Sequence, residues 1–155
     1  MQVFLIRHAA AVDETLTLRD PHRHLTAHGR VQARSLGDRL RWHDCTPTHV
    51  WSSPLVRAVQ TAELVVAGIG CDVPVEVAMD LAPDGSARAL VAALGQLPAD
   101  AHVLLVGHEP SLSGIGIVLV GDYFKALDKA EAIRIDGGKV RWRFAWDAEA
   151  PALVK

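Results

Sequence analysis

The chain has 155 residues, half of them apolar and 22% charged, a globular composition whose length leaves room for one core rather than two and excludes a disordered, collagenous or disulfide-dense chain. Sixteen Lys and Arg against eighteen Asp and Glu leave a formal net charge of −2, so no overall basic field exists to hold nucleic acid or an anionic membrane, and any anion site must be local. Cys45 and Cys71 lie far apart with no Cys-x-x-Cys, the pattern of free thiols in a reducing compartment.

The start, Met1 to His8, lacks the basic region and long apolar run of a signal peptide. The apolar stretch from Leu112 to Val120 is half of the roughly 20 residues that a membrane-spanning helix needs. A soluble, cytoplasmic protein is expected. Val3 to Ile6 is a short continuous apolar run, which reads as a strand buried on both faces. A polar segment, Asp13 to His24, then leads to Thr26, a candidate N-cap for a helix over about 27–43 that carries Ala33, Leu36 and Leu40. Thr48 to Ser52 is a second strand. Ser53-Pro54 opens the next helix, with Leu55, Val59, Ala62 and Val66 as its buried face.

Gly68, Gly70 and Pro74 close that helix, and Val73 to Val77 reads as a strand, its proline placing it on an edge or at a strand start. The Pro83-Asp84-Gly85-Ser86 cluster is a turn before a helix spaced by Ala89, Leu90, Ala93, Leu94 and Leu97 and closed by Pro98. Val103 to Val106 repeats the opening strand pattern and runs into Gly107-His108-Glu109-Pro110 and a helix. Ala132 to Ile135 and Val140 to Ala145 form a final β-hairpin around Asp136-Gly137-Gly138-Lys139. Alternating strands and helices predict one α/β domain over 1–155 with a mainly parallel sheet covered on both faces.

Arg7-His8 and His108 both follow a buried strand, and ligands of open α/β sheets bind at the carboxyl ends of the strands. Arg57 falls in the first turn of a helix, where unpaired N–H groups and the helix dipole already favour an anion. Two arginines, two histidines and two helix starts at one sheet edge would suit a small multiply charged oxyanion such as phosphate. A neutral imidazole could also attack phosphorus and form a covalent phosphohistidine. Any one of these residues alone reads more simply as a satisfied polar group or a surface ion pair. Burying Arg and His side by side is costly without an anion, so the combination favours function.

Four ordered motifs carry a resemblance: Arg7-His8 after the first strand, Leu25-Thr26-Ala27-His28-Gly29-Arg30-Val31-Gln32-Ala33, Ser52 to Ala62 with Arg57, and Val106-Gly107-His108-Glu109-Pro110. Over residues 1 to about 120 the chain resembles the histidine phosphatase superfamily, the phosphoglycerate mutase-like fold, and within it the short SixA-type phosphohistidine phosphatases. The resemblance implies a three-layer α/β/α sandwich in which His8 is the nucleophile, Arg7 and Arg57 bind the phosphoryl oxygens and His108 donates to them. It implies no metal or other cofactor. The substrate would be phosphohistidine on a protein, reached through a pocket left open by the absence of insertions, with a small phosphoester as the alternative.

The chain departs from the family at two places. Ala9 stands where the family has glycine, a strained choice if that position requires positive φ. Leu81-Ala82-Pro83 puts proline where the mutase branch carries its acidic proton donor. Glu109 follows His108 as an acid does in the acid phosphatase branch, and is either a proton donor or a helix cap. A phosphohistidine substrate lessens the need for a donor, because its leaving imidazole needs less protonation than an alkoxide. A non-catalytic phosphate- or phosphoprotein-binding module is the rival reading, motivated by Ala9 and the absent acid.

Other signals are weaker. His22, His24 and His28 are read as surface or rim histidines rather than metal ligands, and Arg19 and Arg23 in the same loop could touch a phosphoprotein. Gly114-x-Gly116 lacks the third glycine of a dinucleotide site. Trp42, Trp51, Trp142 and Trp146 are expected at core edges, since no basic patch surrounds them.

Overall fold

The computed structural model describes all 155 residues. Its first strand, β1 (Gln2–Arg7), alternates its side chains between two cores: Phe4 and Ile6 face one side of the sheet, Val3 and Leu5 the other. The apolar run is continuous because both faces are covered. The polar segment that follows makes one 3-10 turn at Asp20–His22 and leads to helix α1 (Ala27–Leu40). Thr26 caps α1 as expected, its hydroxyl accepting from the Gly29 N–H at 2.9 Å. The helix ends at Leu40 rather than 43, and residues 41–44 are turn.

Strand β2 (His49–Ser52) and helix α2 (Val56–Ile69) come next. Two details of α2 differ from the sequence reading. The helix begins after Leu55 with no side-chain cap, and Ser53 Oγ takes the Leu55 N–H and contacts His108 Nε2. Its buried face runs through Arg57, Ala58, Thr61, Ala62, Val65 and Ile69 instead of Val59 and Val66, a rotation of one residue that turns Arg57 and Thr61 inward. Apolar residues at 58, 59, 62, 65 and 66 fit either stripe, so periodicity alone could not decide between them.

The edge strand β3 (Val75–Val77) starts directly after Pro74, where a missing N–H costs the ladder nothing. Helix α3 (Ala87–Leu94) is capped by Ser86, whose hydroxyl accepts from the Ala89 N–H. Strand β4 (His102–Gly107) and helix α4 (Ser111–Val120) follow. The hairpin of β5 (Glu131–Asp136) and β6 (Lys139–Ala145) turns through Gly137 and Gly138, both at positive φ as a tight primed turn requires. A short strand β7 (Ala152–Leu153), which the sequence does not announce, extends the sheet.

The seven strands form one mixed sheet in the order β3-β2-β4-β1-β5-β6-β7. The first four are mutually parallel; β5 pairs antiparallel with β1, and β5, β6 and β7 continue as an antiparallel meander. Helices α1 and α2 bury Leu36, Leu40, Ala62 and Val65 against one face; α3 and α4 bury Leu90, Leu94, Leu112 and Ile115 against the other. The result is the three-layer α/β/α sandwich. No helix is long and apolar enough to cross a membrane. Cys45 and Cys71 are both free thiols, and burial pushes the Cys45 thiol up to about 12. Trp142 is buried and Trp51 and Trp146 are packed at core edges, but Trp42 is 77% exposed, flanked by the Arg41 guanidinium.

Candidate active site

The parallel register sets the site. β4 lies between β2 and β1, with Ser52 opposite Val106 and Arg7 opposite Gly107. The ladder continues one step past the strands: the Ser53 N–H donates to Val106 O and the His8 N–H to Gly107 O, at 2.9 and 3.0 Å. Ser53, His108 and His8 therefore leave three adjacent strands at the same level. The His8 and His108 rings are 5.1 Å apart between centroids, inclined by 55°. Arg57 reaches the same place from the first turn of α2, and Arg7 from the last residue of β1. Three of the four predicted residues are almost wholly buried: His8, Arg57 and His108 expose 7, 5 and 3%.

Their polar atoms are only partly matched. His8 Nδ1 lies 2.7 Å from the Ala9 carbonyl oxygen, which can only accept. Nδ1 therefore carries the proton and Nε2 keeps the lone pair. Burial, reinforced by the Arg57 and Arg7 charges against the Ala9 hydrogen bond, pushes the His8 pKa down to about 4. A neutral ring with its free lone pair on Nε2 is a competent nucleophile. His108 is pushed down to about 3, first by burial and then by the His8 and Arg57 charges. Its Nε2 is 2.7 Å from Ser53 Oγ, and its Nδ1 is buried without a partner.

Arg7 donates from Nη1 to the Leu127 carbonyl at 3.0 Å, and Arg57 from Nη1 to the Asp20 carbonyl at 2.9 Å. The Nε–H of each arginine is buried with no partner. Leaving such donors unpaired costs roughly 1–3 kcal/mol apiece. The Arg7, Arg57 and His108 orphans belong to the set that the sequence reading assigned to phosphate.

The motifs also hold the loop around the nucleophile. Gln32 accepts the Ala10 N–H and Gln60 the Leu25 N–H, at 2.9 and 2.8 Å. Thr61 Oγ1 accepts from the Ala9 N–H and donates to Arg57 O, linking the nucleophile segment to α2. A side chain at Gly29 would collide with the Ala10 carbonyl, so the start of α1 can lie against this segment only with glycine. Ala9 itself is fully buried and is not at positive φ, so the methyl group is accommodated without backbone strain.

Glu109 does not aim a free carboxylate at the rings. Its Oε2 accepts from the Ser113 hydroxyl and N–H at the start of α4, and its Oε1 accepts from the Leu127 N–H at 3.1 Å. Because Leu127 O receives Arg7, Glu109 and Arg7 grip the same residue from opposite sides. The carboxylate that does reach the site, Asp20, was not singled out in the sequence. Its Oδ2 is 3.4 Å from Arg57 Nη2 and its Oδ1 2.9 Å from Arg23 Nη1. Hydrogen bonding from Arg23, aided by the charges of Arg57 and Arg23, holds the Asp20 carboxyl below its ordinary range. Its charge is felt at His108.

The loop carrying Asp20 thus lies against Arg57, and none of the surface cavities of the protein is lined by Arg7, His8, Arg57 or His108. In the same loop Arg19 pairs with Glu14 and Arg23 donates to Val12 O. His28 lies edge-on to Trp146.

The histidine phosphatase superfamily (branch 1) pattern matches residues 3–82, slightly more than half the chain. The protein belongs to that superfamily. An uncharacterised protein of Picosynechococcus is 33% identical over 155 residues, covering 96% of this chain and 93% of its own. The structure of the protein histidine phosphatase SixA complexed with tungstate superposes with a TM-score of 0.86 at 26% identity, over 94% of this chain and 97% of that one. The ecdysone phosphate phosphatase of Bombyx mori, also solved with tungstate, shares the fold at a TM-score of 0.69 and 16% identity, over 90% and 91% of the two chains. The α/β/α sandwich of this protein is therefore the phosphoglycerate mutase-like fold of phosphatases and mutases.

Proposed function

We propose that this histidine phosphatase hydrolyses phosphohistidine on a protein, through a covalent intermediate on His8. The observation that carries the reading is the state of the carboxylates. Asp20 is held ionised by two arginines, and Glu109 spends both oxygens on Ser113 and Leu127. Neither is free to give a proton to a departing alkoxide, which favours a substrate whose leaving group departs without help. Phosphohistidine protonated on its second ring nitrogen does, leaving as neutral imidazole.

In this reading the Arg7 and Arg57 guanidinium groups and the His108 Nδ1–H clamp the phosphoryl oxygens, satisfying the donors left unpaired in the free protein. The Nε2 lone pair of His8 attacks phosphorus as the P–N bond to the substrate breaks, that bonding pair staying on the substrate nitrogen. The His8 ring then carries a positive charge, shared with the Ala9 carbonyl through Nδ1–H. Water attacks the phospho-His8 phosphorus, the Nε2–P bond breaks, and His8 recovers its neutral tautomer while the water's proton leaves with phosphate. No step draws on a metal or other cofactor. Glu109 serves as an anchor for Leu127, and through it for Arg7, rather than as a proton donor.

The loop against Arg57 favours a second reading, a small-molecule phosphomonoesterase, since a covered site suits a small substrate better than a protein. Phosphate release from a phosphohistidine protein and from an aryl phosphate, by wild type and His8→Ala, separates the two. His8-dependent turnover of phosphohistidine supports the proposal; turnover of the aryl phosphate alone moves the substrate to small phosphoesters. Silence on both would leave the protein as a phosphate-binding module.

A further inference from the structure

Among the carboxylates near the site, Asp20 has no role in the mechanism above and an unexplained position. An acidic side chain beside a phosphate clamp opposes the binding of a phosphoryl dianion. Here it is nevertheless held by design of the loop: its carbonyl takes Arg57 Nη1, its Oδ2 faces Arg57 Nη2, and its Oδ1 takes Arg23 Nη1. Arg23 is itself fixed by donating from Nε to Val12 O at 2.7 Å. The carboxylate is 42% exposed, so it sits at the mouth of the site while Arg57 and the two histidines lie inside. Its ionised state removes it as a general acid and makes it an acceptor for a cationic N–H.

We infer that Asp20 is a specificity-determining residue, a carboxylate at the pocket mouth that accepts the N–H of the substrate's phosphorylated imidazole and so selects phosphohistidine over phosphate esters. The inference rests on the proposed function and names the feature of the substrate that the site reads. Phosphohistidine has a phosphoryl group on one ring nitrogen and a protonatable second nitrogen. Only with the proton on that second nitrogen does breaking the P–N bond release neutral imidazole; without it the ring would leave as an anion. An ionised carboxylate facing that nitrogen stabilises the protonated ring before transfer, and the proton stays on the substrate throughout. An ester offers no such N–H, and its alkoxide would leave into the field of a negative charge. The same carboxylate thereby favours one substrate and opposes the other.

The test is the ratio of two activities. Asp20→Asn and Asp20→Ala are measured against wild type for kcat/KM on a phosphohistidine peptide and on an aryl phosphate, with Asp20→Glu as the variant that keeps the charge. The expected result is a fall of about 10- to 100-fold on phosphohistidine, the size of a hydrogen bond to a charged group, and a ratio of phosphohistidine to aryl phosphate turnover lowered by about tenfold or more. Asp20→Glu should recover much of the loss. Equal losses on both substrates would mean that Asp20 only braces Arg57 and would overturn the inference, as would no loss on either. Wild type that hydrolyses the aryl phosphate and ignores phosphohistidine would overturn the proposed function along with it, an outcome visible before any Asp20 variant is measured.

Discussion

Ser53 Oγ and His108 Nε2 are 2.7 Å apart, both buried, and the contact couples the Ser53 hydroxyl to the tautomer of His108. Ser53 Oγ already accepts the Leu55 N–H at 3.2 Å, so its own hydrogen is free to point at the imidazole. With Nε2 accepting, the proton of the neutral ring lies on Nδ1, the atom without a protein partner. Ser53→Ala removes this constraint and permits the opposite tautomer. We expect kcat on any His8-dependent substrate to fall about tenfold or more, the value of one misaligned donor to a transferring phosphoryl group. Stability should drop by roughly 1–2 kcal/mol from the unpaired buried nitrogen. Steady-state kinetics and urea denaturation of the one variant check both, and unchanged kcat would remove Ser53 from the site.

Ala9 is where the sequence and the structure part most usefully. The family's glycine at this position suggests a backbone that only glycine adopts, yet only Asp44 and Ala130 among non-glycine residues have positive φ. The Ala9 methyl is fully covered within the core that also holds Ala33, Ala58 and Ala62. Restoring the family residue by Ala9→Gly should therefore lower stability, by about 1 kcal/mol from lost burial and added chain freedom. It should leave kcat/KM close to wild type. A marked rise in activity in the glycine variant would show that the methyl group obstructs the site.

Much of the fold was legible because each core strand is a short apolar block set off by turn residues, and the caps at Thr26 and Ser86 are local signals. The positions of Arg7, His8 and His108 were legible for a related reason: they end buried strands, and a strand end in a parallel sheet is a fixed point. What could not be read depends on pairs distant in sequence. Ser53 was legible only as part of a helix opening, because its partner His108 is 55 residues away. Asp20 sat in a polar loop without periodicity, and only the fold brings it to Arg57. Strand β7 is two residues long and exists because β6 presents an edge for it, which no local pattern encodes.

Glu109 distinguishes an anchor from an acid. Its oxygens take the Leu127 N–H and the Ser113 hydroxyl and N–H, and Leu127 in turn receives Arg7. Glu109→Gln keeps the shape, but its amide nitrogen cannot accept, so one of these attachments is lost. Stability should fall by about 1–3 kcal/mol, and turnover should fall by the same factor on phosphohistidine and on an aryl phosphate, through looser placement of Arg7. A proton donor behaves differently: its removal would hurt substrates with poor leaving groups most. The comparison of an aryl with an alkyl phosphate in the Gln variant decides the matter, and a selective loss on the alkyl ester would restore the acid.

The two buried histidines also make stability depend on pH in a direction that can be worked out. His8 is held down to about 4 and His108 to about 3, against an ordinary value near 6.5. Between those values and 6.5 the unfolded chain binds protons that the folded protein refuses, so acid favours unfolding. Stability present above pH 6.5 should be lost as the pH falls through about 4 for His8 and onward to about 3 for His108. Each histidine can contribute a slope of up to about 1.4 kcal/mol per pH unit in its window. Urea midpoints from pH 7 to 4 should decline more steeply for wild type than for a variant carrying His8→Asn and His108→Asn, and parallel declines would place the acid sensitivity elsewhere. Over the same range the nucleophile keeps its lone pair to about pH 4. A loss of activity near pH 6.5 would therefore have to come from the substrate or from another residue, not from protonation of His8.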